Sequence, residues 1–358
     1  QDSFPTEEIC RFSDSLLQNE PVKTLQYSVS EGIPEVREAV KQFANRFFPI
    51  CKDSDSLVMM SGSQQILDLT AKCLCNEGAV VAAEEPAFLS AYLTFRSSGA
   101  VVKGVPMQPD GVDLQALERV LSANPKPAFF YCIPNFQNPT GYTTSLEKRK
   151  AIYELTARYG VPVLEDDPYG ELRFSGEALP PLKALGTGEH IIYAGSFSKI
   201  LCPGMRLAYC IADQGLARHL VTAKQCSDVH TNVWAQRVCE KILTETGLAA
   251  HLTRLRTIYG KKARQMMDAL DSQCPQIHYE RPEGGMFLWG TLPDNIAMPE
   301  FVQRCLEKKL AVVPGNAFYV DDSAPCNSFR MNFSAPNSAQ IERGVEIMAQ
   351  VLTEMSGR

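Results

Sequence analysis

The sequence lacks an excess of positive charge. Its 358 residues carry 35 lysines and arginines against 41 aspartates and glutamates, a formal net charge of −6 at pH 7. Proteins that bind nucleic acid use a basic surface to contact phosphates. This charge balance therefore argues against a nucleic-acid partner for this chain.

Long apolar runs, linkers and repeats are also missing. No stretch approaches the length of about 18 apolar residues that a membrane-spanning helix needs. No Ser/Gly-rich or highly charged linker divides the chain, and no charged-then-apolar leader follows Gln1, so no secretory signal is visible. We expect a folded, soluble protein without a membrane partner, and its length suggests two domains in close contact.

The twelve cysteines do not form a recognisable disulfide framework. They are scattered through apolar contexts, and the one closely spaced pair, Cys73 and Cys75, lies in a helical pattern. A chain of this length does not need disulfides to stabilise a core. We therefore expect reduced thiols and a cytoplasmic location.

The middle of the chain alternates β-branched runs with amphipathic segments. Strands are predicted at residues 79–83, 100–105, 128–133, 161–165, 191–194 and 207–211. This alternation predicts a mostly parallel sheet covered on both faces, with ligands at the carboxyl ends of its strands.

The C-terminal part has a different pattern. Apolar residues recur every three or four positions from residue 244 to 272, which predicts one long amphipathic helix. Strands at 286–289 and 312–313 and helices at 299–309 and from Ser338 follow. This part is predicted to form a smaller α+β domain.

A lysine follows one of the predicted strands in the segment Ser196-Phe197-Ser198-Lys199, with Arg206 seven residues beyond it. Alone, such a lysine is more often an ordinary surface residue. The functional alternative is that Lys199 forms a Schiff base with an aldehyde cofactor while the hydroxyls and Arg206 hold a phosphate.

Three consecutive carboxylates, Glu165, Asp166 and Asp167, end another strand. They could form a solvated turn or a metal site, but His190 and His219 lack supporting ligand spacing, so no metal is expected. Alternatively, one carboxylate pairs with a protonated pyridine nitrogen, which makes the ring an electron sink.

Two turns complete the candidate set. Asn138 lies in an Asn-Pro-Thr-Gly turn at a strand end, where a plain loop or an amide donor is possible. Ser63 and Gln64 open a predicted helix, whose free N–H groups and dipole can bind an anion.

Together these motifs resemble the fold-type I pyridoxal-phosphate aminotransferases of class I/II, most of all the kynurenine/2-aminoadipate aminotransferase branch. The segments that carry the resemblance are residues 27–37, 139–141, 165–169, 196–199, 282–287 and 329–334. It implies an aspartate aminotransferase-like α/β fold with a mostly parallel seven-stranded sheet flanked by helices. It also implies a large cofactor-binding domain at residues 25–251 and a small domain from residues 1–24 and 252–358.

The resemblance assigns roles to individual residues. Lys199 would carry pyridoxal 5′-phosphate as an aldimine and move the substrate's α-proton. Asp166 would bind the pyridine nitrogen, and Tyr169 and Asn138 would bind the phenolic oxygen. Arg330, helped by Asn138, would pair with the substrate α-carboxylate.

The resemblance also implies a phosphate site and a homodimer. The residues assigned to the phosphate are Ser63, Gln64, Ser196, Ser198, Arg206 and, from the neighbouring subunit, Tyr27. Phe88 stands at the ring-stacking position, where the branch often has tyrosine. The pattern also predicts cis peptide bonds at Asn138-Pro139 and Glu85-Pro86.

The implied reaction is ping-pong transfer of an amino group between an amino acid and a 2-oxo acid. Two alternatives stay open: a C–S β-lyase that uses the same cofactor, and the effector-binding domain of a transcription regulator. The sequence does not identify the amino donor.

Overall fold

The computed structural model describes residues 3–356, and its larger sheet has eight strands. The strands are β1 (Asp55–Met60), β2 (Val80–Glu85), β3 (Val101–Gln108), β4 (Gly111–Val112), β5 (Phe129–Cys132), β6 (Val163–Asp167), β7 (Ile191–Ser196) and β8 (Ala208–Asp213). Their order is β1-β8-β7-β6-β5-β2-β3-β4. The contiguous run from β7 through β6, β5 and β2 to β3 is parallel, and β1, β4 and β8 pair antiparallel.

The predicted α/β class is confirmed, with eight strands rather than seven. The additional short strand β4 is a two-residue antiparallel partner of β3, too brief to leave a periodic pattern. Strand β1 was not among the sequence candidates either. Its apolar half contains Met59 and Met60, and methionine is a helix former rather than a strand former.

Helices cover both faces of this sheet. The helices are α1 (Thr6–Asn19), α2 (Pro21–Leu25), α3 (Pro34–Asn45), α4 (Ser63–Leu74), α5 (Leu89–Ser97), α6 (Leu114–Leu121), α7 (Leu146–Tyr159), α8 (Gln214–Ser227), α9 (Val233–Lys241), α10 (Leu248–Gln273), α11 (Met298–Glu307) and α12 (Ser338–Ser356). Alternation along β5 buries Phe129 in one apolar cluster and Phe130 in another, so the sheet has a core on each side.

A second, antiparallel sheet lies in the C-terminal part of the chain. Its strands are β9 (Phe287–Thr291), β10 (Val313–Pro314) and β11 (Ser328–Asn332), in the order β10-β11-β9. The long helix α10 packs against α12 and begins at Leu248, later than predicted. Gly247, with φ of 63°, interrupts the predicted helical run before it.

The carboxyl ends of β2, β5, β6 and β7 share one edge of the sheet because these strands are parallel. The ends of these strands and the loops after them hold most of the predicted site residues. We retain the division at residues 25–251, 1–24 and 252–358 as a proposal; its terminal residues 1–2 and 357–358 lie outside the described residues.

Candidate active site

Lys199 lies on the turn just after β7. Its side chain is half-buried, and burial lowers its pKa, as do the positive charges of Arg206 and Arg330. Asp166 opposes this effect. The lysine is therefore easier to deprotonate than one on the surface, which suits an amine that acts as a nucleophile and a base.

Asp166 and Asp167 are neighbours on β6, so their side chains point to opposite faces of the sheet. The Oδ2 atom of Asp166 accepts a hydrogen bond from the hydroxyl of Tyr131 at 3.0 Å. Its buried Oδ1 atom has no hydrogen-bond partner among the described residues. Burial raises the pKa of Asp166 to about 7.

Asp167 belongs to a different network. Its carboxylate accepts hydrogen bonds from the Asn135 amide at 3.0 Å, the Tyr193 hydroxyl at 2.8 Å and the Gly170 backbone at 3.0 Å. Only Asp166 therefore keeps a free buried oxygen for a cationic partner.

Asn138 connects two other predicted residues. Its Oδ1 atom accepts a hydrogen bond from Arg330 Nη1 at 2.7 Å, and its side chain also bonds to Tyr169. Tyr169 is buried, and burial raises its pKa, so the phenol keeps its proton. The structure brings these three side chains together from the β5 loop, the β6 loop and β11.

The guanidinium of Arg330 is enclosed by aromatic rings. Its Cζ atom lies 4.4 Å from the Phe287 ring centroid and 5.0 Å from that of Phe318. Its buried Nε has no partner in the described part of the chain. A guanidinium held this way has an N–H donor available for a carboxylate.

The helix α4 begins at Ser63, as the sequence predicted. Gly62 precedes it with φ of 92°, and no side chain caps the first turn. A Cβ atom at Gly62 would overlap the guanidinium of Arg206, so the turn packs directly against this cation. Free N–H groups beside an arginine form an anion site.

Ser196 and Ser198 lie at the end of β7, and Arg206 lies just before β8. Ser196 Oγ accepts a hydrogen bond from the backbone N–H of Ser198 at 3.2 Å. Arg206 is exposed and has φ of 50°, a conformation uncommon outside glycine.

Three predicted residues remain, and their surroundings are as follows. Gln64 directs its side-chain amide to Thr94 on α5. Phe88 is half-buried at the start of α5. Tyr27 is 82% exposed, with its ring 5.7 Å from that of His230. Tyr27 is therefore not enclosed in a site by its own chain.

Both predicted cis peptide bonds, Glu85-Pro86 and Asn138-Pro139, are confirmed, and a third lies at Asn124-Pro125. The side chain of Gln137 joins the first two loops: its Nε2 donates to the Pro86 carbonyl at 2.7 Å, and its Oε1 accepts from the Thr140 N–H at 3.0 Å.

Two buried residues near Asp166 were missed by the sequence analysis. Tyr131 is enclosed in β5, and Glu84 accepts a hydrogen bond from the Ile133 N–H at 3.0 Å, with its pKa raised to about 7 by burial. The only sequence signal was a polar residue inside an otherwise apolar strand.

A cavity of about 590 Å³ lies beside Lys199. Its apolar lining includes Phe4, Leu201, Ile258 and Met286. Among the described residues, Asp166, Asn138 and Arg330 do not line this cavity.

Several other properties bear on the type of site. In residues 3–356, no group of three or more His, Cys, Asp and Glu side chains is arranged to hold a metal ion. None of the helices in the described part of the chain has the length and apolarity that a membrane crossing needs. All twelve cysteines, each within that part, are free thiols.

Comparisons with known proteins agree with this geometry. A profile of the aminotransferase class I and II family matches residues 8–348. The 2-aminoadipate transaminase of Thermus thermophilus is 36% identical over 353 residues, which cover 98% of this chain and 87% of that protein.

Two solved structures are similar over nearly the whole chain. The kynurenine aminotransferase of Pyrococcus horikoshii, in complex with PMP, has a TM-score of 0.94 and 34% identity, covering 99% of this chain and 88% of its own. The multiple substrate aminotransferase of Thermococcus profundus has a TM-score of 0.95 and 32% identity, covering 100% and 90%.

The chain belongs to the aminotransferase class I and II family. It is a pyridoxal-phosphate-dependent aminotransferase that acts on amino acid and 2-oxo acid substrates. The residues present fit this cofactor, because the free buried Oδ1 of Asp166 suits a ring N–H⁺ and the uncapped turn beside Arg206 suits a phosphate.

Proposed function

We propose that the residues around Lys199 perform transamination on amino acids with long or aromatic side chains. The observation that carries this proposal is the convergence of Lys199, Asp166 and the Asn138–Arg330 pair at one edge of the sheet. When bound, pyridoxal phosphate supplies an aldehyde that captures the substrate amino group and a ring that accepts electron density from the α-carbon.

Arg330 and Asn138 bind and orient the substrate. The buried guanidinium, held against two aromatic rings and bonded to Asn138, keeps Nε available for the substrate α-carboxylate. Binding the carboxylate there fixes the substrate at one end, so the α-carbon is held near Lys199.

Lys199 moves the proton. Its lowered pKa leaves a larger neutral fraction of the amine. The neutral amine can accept the proton from the substrate α-carbon and would then deliver it to the cofactor carbon that is joined to the amino nitrogen. Asp166 would hold a proton on the cofactor's ring nitrogen, and the protonated phenol of Tyr169 would donate to its phenolic oxygen.

The substrate proposal rests on the relatives. Two of the similar proteins are named for 2-aminoadipate and kynurenine. We infer that this chain takes donors of the same size class.

We also propose a homodimer with composite sites, in which each active site contains residues from both chains. An exposed apolar segment contains Val22, Leu25, Tyr27 and Val29, with exposures of 73%, 70%, 82% and 51%. A second copy of the chain would cover this surface and receive Tyr27 at its own phosphate site. The free thiols support a cytoplasmic location.

A donor panel tests the proposed function. Each amino acid is incubated with 2-oxoglutarate and the holoenzyme, and glutamate is measured. 2-Aminoadipate and kynurenine should give a kcat/KM at least about tenfold above that of alanine. Equal values for all donors would contradict the substrate class, and pyruvate release without a keto acid would favour the lyase alternative.

A further inference from the structure

Tyr131 is buried beneath the site and has no role in the mechanism above. It lies on β5 opposite Leu164 of β6, two positions before Asp166, so it shares a face of the sheet with Asp166. Its hydroxyl donates to Asp166 Oδ2 at 3.0 Å, and its ring packs edge-on against Phe95 at 5.4 Å.

We propose that Tyr131 is a positioning residue for transamination: its hydroxyl holds one oxygen of Asp166 and keeps the carboxylate charged, which leaves the other oxygen for the cofactor's ring nitrogen. The inference rests on the role proposed for Asp166. Tyr131 acts through this carboxylate.

The environment explains why Asp166 needs such a donor. The titratable groups that face Asp166 or act on it are Tyr131, Glu84, Cys132, Asp167, Tyr169 and Lys199. Burial raises the pKa of Asp166, and the negative charge of Asp167 adds to this effect. The Tyr131 hydrogen bond and the charge of Lys199 oppose it.

Loss of the Tyr131 hydroxyl should change the pKa of Asp166 in one direction. Without it, the carboxylate is less stabilised, so the pKa of Asp166 rises and the proton shared with the ring nitrogen moves toward the carboxylate. A less protonated ring is a weaker electron sink, so removal of the α-proton slows.

The chain contains a matched control on the opposite face of the sheet. The Tyr193 hydroxyl donates to Asp167 Oδ2 at 2.8 Å, which is the same donor and acceptor pair one residue further along β6. Tyr193 is buried like Tyr131. The Tyr193→Phe variant therefore removes a part-buried hydrogen bond of the same chemistry without touching Asp166.

The test compares wild-type holoenzyme with Tyr131→Phe, Tyr193→Phe and Asp166→Asn, each loaded with pyridoxal phosphate carrying ¹⁵N in the ring. The ¹⁵N chemical shift reports ring protonation independently of activity. Steady-state kinetics are measured across pH, and thermal unfolding checks that the folds are intact.

We expect Tyr131→Phe to move the ¹⁵N signal toward the unprotonated value. Its kcat should fall about tenfold with little change in KM, and the acid limb of its kcat profile should move up by about one pH unit, since a hydrogen bond to a charged group is of this size. Tyr193→Phe should keep the wild-type signal and acid limb.

The outcomes separate this inference from the function on which it rests. A wild-type ¹⁵N signal and acid limb in Tyr131→Phe, with both altered in Asp166→Asn, would overturn the role of Tyr131 alone. A wild-type signal in Asp166→Asn would instead overturn the role of Asp166. Equal changes of the ¹⁵N signal and the acid limb in Tyr131→Phe and Tyr193→Phe would show that Tyr131 has only a structural role.

Discussion

Two adjacent aspartates at the end of β6 have separate surroundings. Asp166 is buried with one free oxygen, whereas Asp167 is bonded to Asn135, Tyr193 and the Gly170 backbone. The strand's alternation places them on opposite faces. At the residue scale, this alternation distinguishes the proposed cofactor ligand from a structural carboxylate.

Substitution of each aspartate should therefore have a different effect. Asp166→Ala should reduce kcat at least about 100-fold, because no carboxylate remains to keep the ring protonated. Asp167→Ala should reduce kcat less than about tenfold while lowering the melting temperature, because three hydrogen bonds are lost. Single-turnover kinetics and thermal unfolding of both variants give these values. A larger kcat loss in Asp167→Ala than in Asp166→Ala would show that Asp167, and not Asp166, is the cofactor ligand.

Residues within named motifs were easier to predict than those that support them. Lys199, Asn138 and Arg330 lie in motifs whose order along the chain is informative. Tyr131 and Glu84 lie inside strands, where a single polar residue resembles any core position until its partner is known. Their partners, Asp166 and Gln137, come from 35 and 53 residues away.

At the scale of elements, the N-terminus of α4 is shaped for an anion. Gly62 adopts φ of 92° and its Cα lies against Arg206, so the turn and the cation are joined by close packing. Side-chain contacts stabilise this turn. Ser61 Oγ donates a hydrogen bond to Asp228, and Asp228 forms an ion pair with the buried Lys224. The turn proposed to bind the phosphate is therefore held in place by contacts within the chain.

The Gly62→Ala variant should weaken binding of pyridoxal phosphate about tenfold or more. The added methyl group overlaps the Arg206 guanidinium and displaces it from the turn. Equilibrium dialysis of the apoenzyme with the cofactor measures the change.

Gly78→Ala is the control, because Gly78 has φ of 78° and open space around its Cβ position. Both variants should lose about 1 to 3 kcal/mol of stability, because alanine is strained at a positive φ. Equal cofactor affinity in the two variants would contradict the phosphate site.

Elements differed in how well the sequence predicted them. The six strand candidates in the middle of the chain appear as β2, β3, β5, β6, β7 and β8, because these strands are rich in apolar and β-branched residues. The start of α10 was predicted too early because periodicity continues across Gly247, whereas the helix does not. Periodicity records which residues are buried and does not record backbone breaks.

At the scale of the whole molecule, Tyr27 lies in an exposed segment rather than in an enclosed site. Its ring contacts that of His230, and the described residues 3–356 leave 82% of Tyr27 exposed. A composite site in a homodimer accounts for both the exposed apolar surface and the position of Tyr27.

Complementation tests the composite site. Inactive Tyr27→Ala and Lys199→Ala chains are mixed under conditions that exchange subunits. Half of the dimers should be mixed, each with one intact site, so about a quarter of wild-type activity should return. A monomer with full activity, or no rescue on confirmed exchange, would contradict this arrangement.

A second mixture controls for nonspecific recovery. Lys199 and Asp166 belong to the same chain's site, so mixing Lys199→Ala with Asp166→Ala should return no activity. Recovery in this mixture would show that the assay does not report shared sites.

The central claim is that Lys199 carries the cofactor, and one measurement tests it directly. Wild-type holoenzyme is treated with borohydride, which makes the lysine–cofactor bond permanent, and the modified peptide is identified by mass spectrometry. The account predicts a phosphopyridoxyl group on Lys199 and no such group in Lys199→Ala. A modified lysine elsewhere in the wild type, or an adduct at the active site of Lys199→Ala, would contradict it.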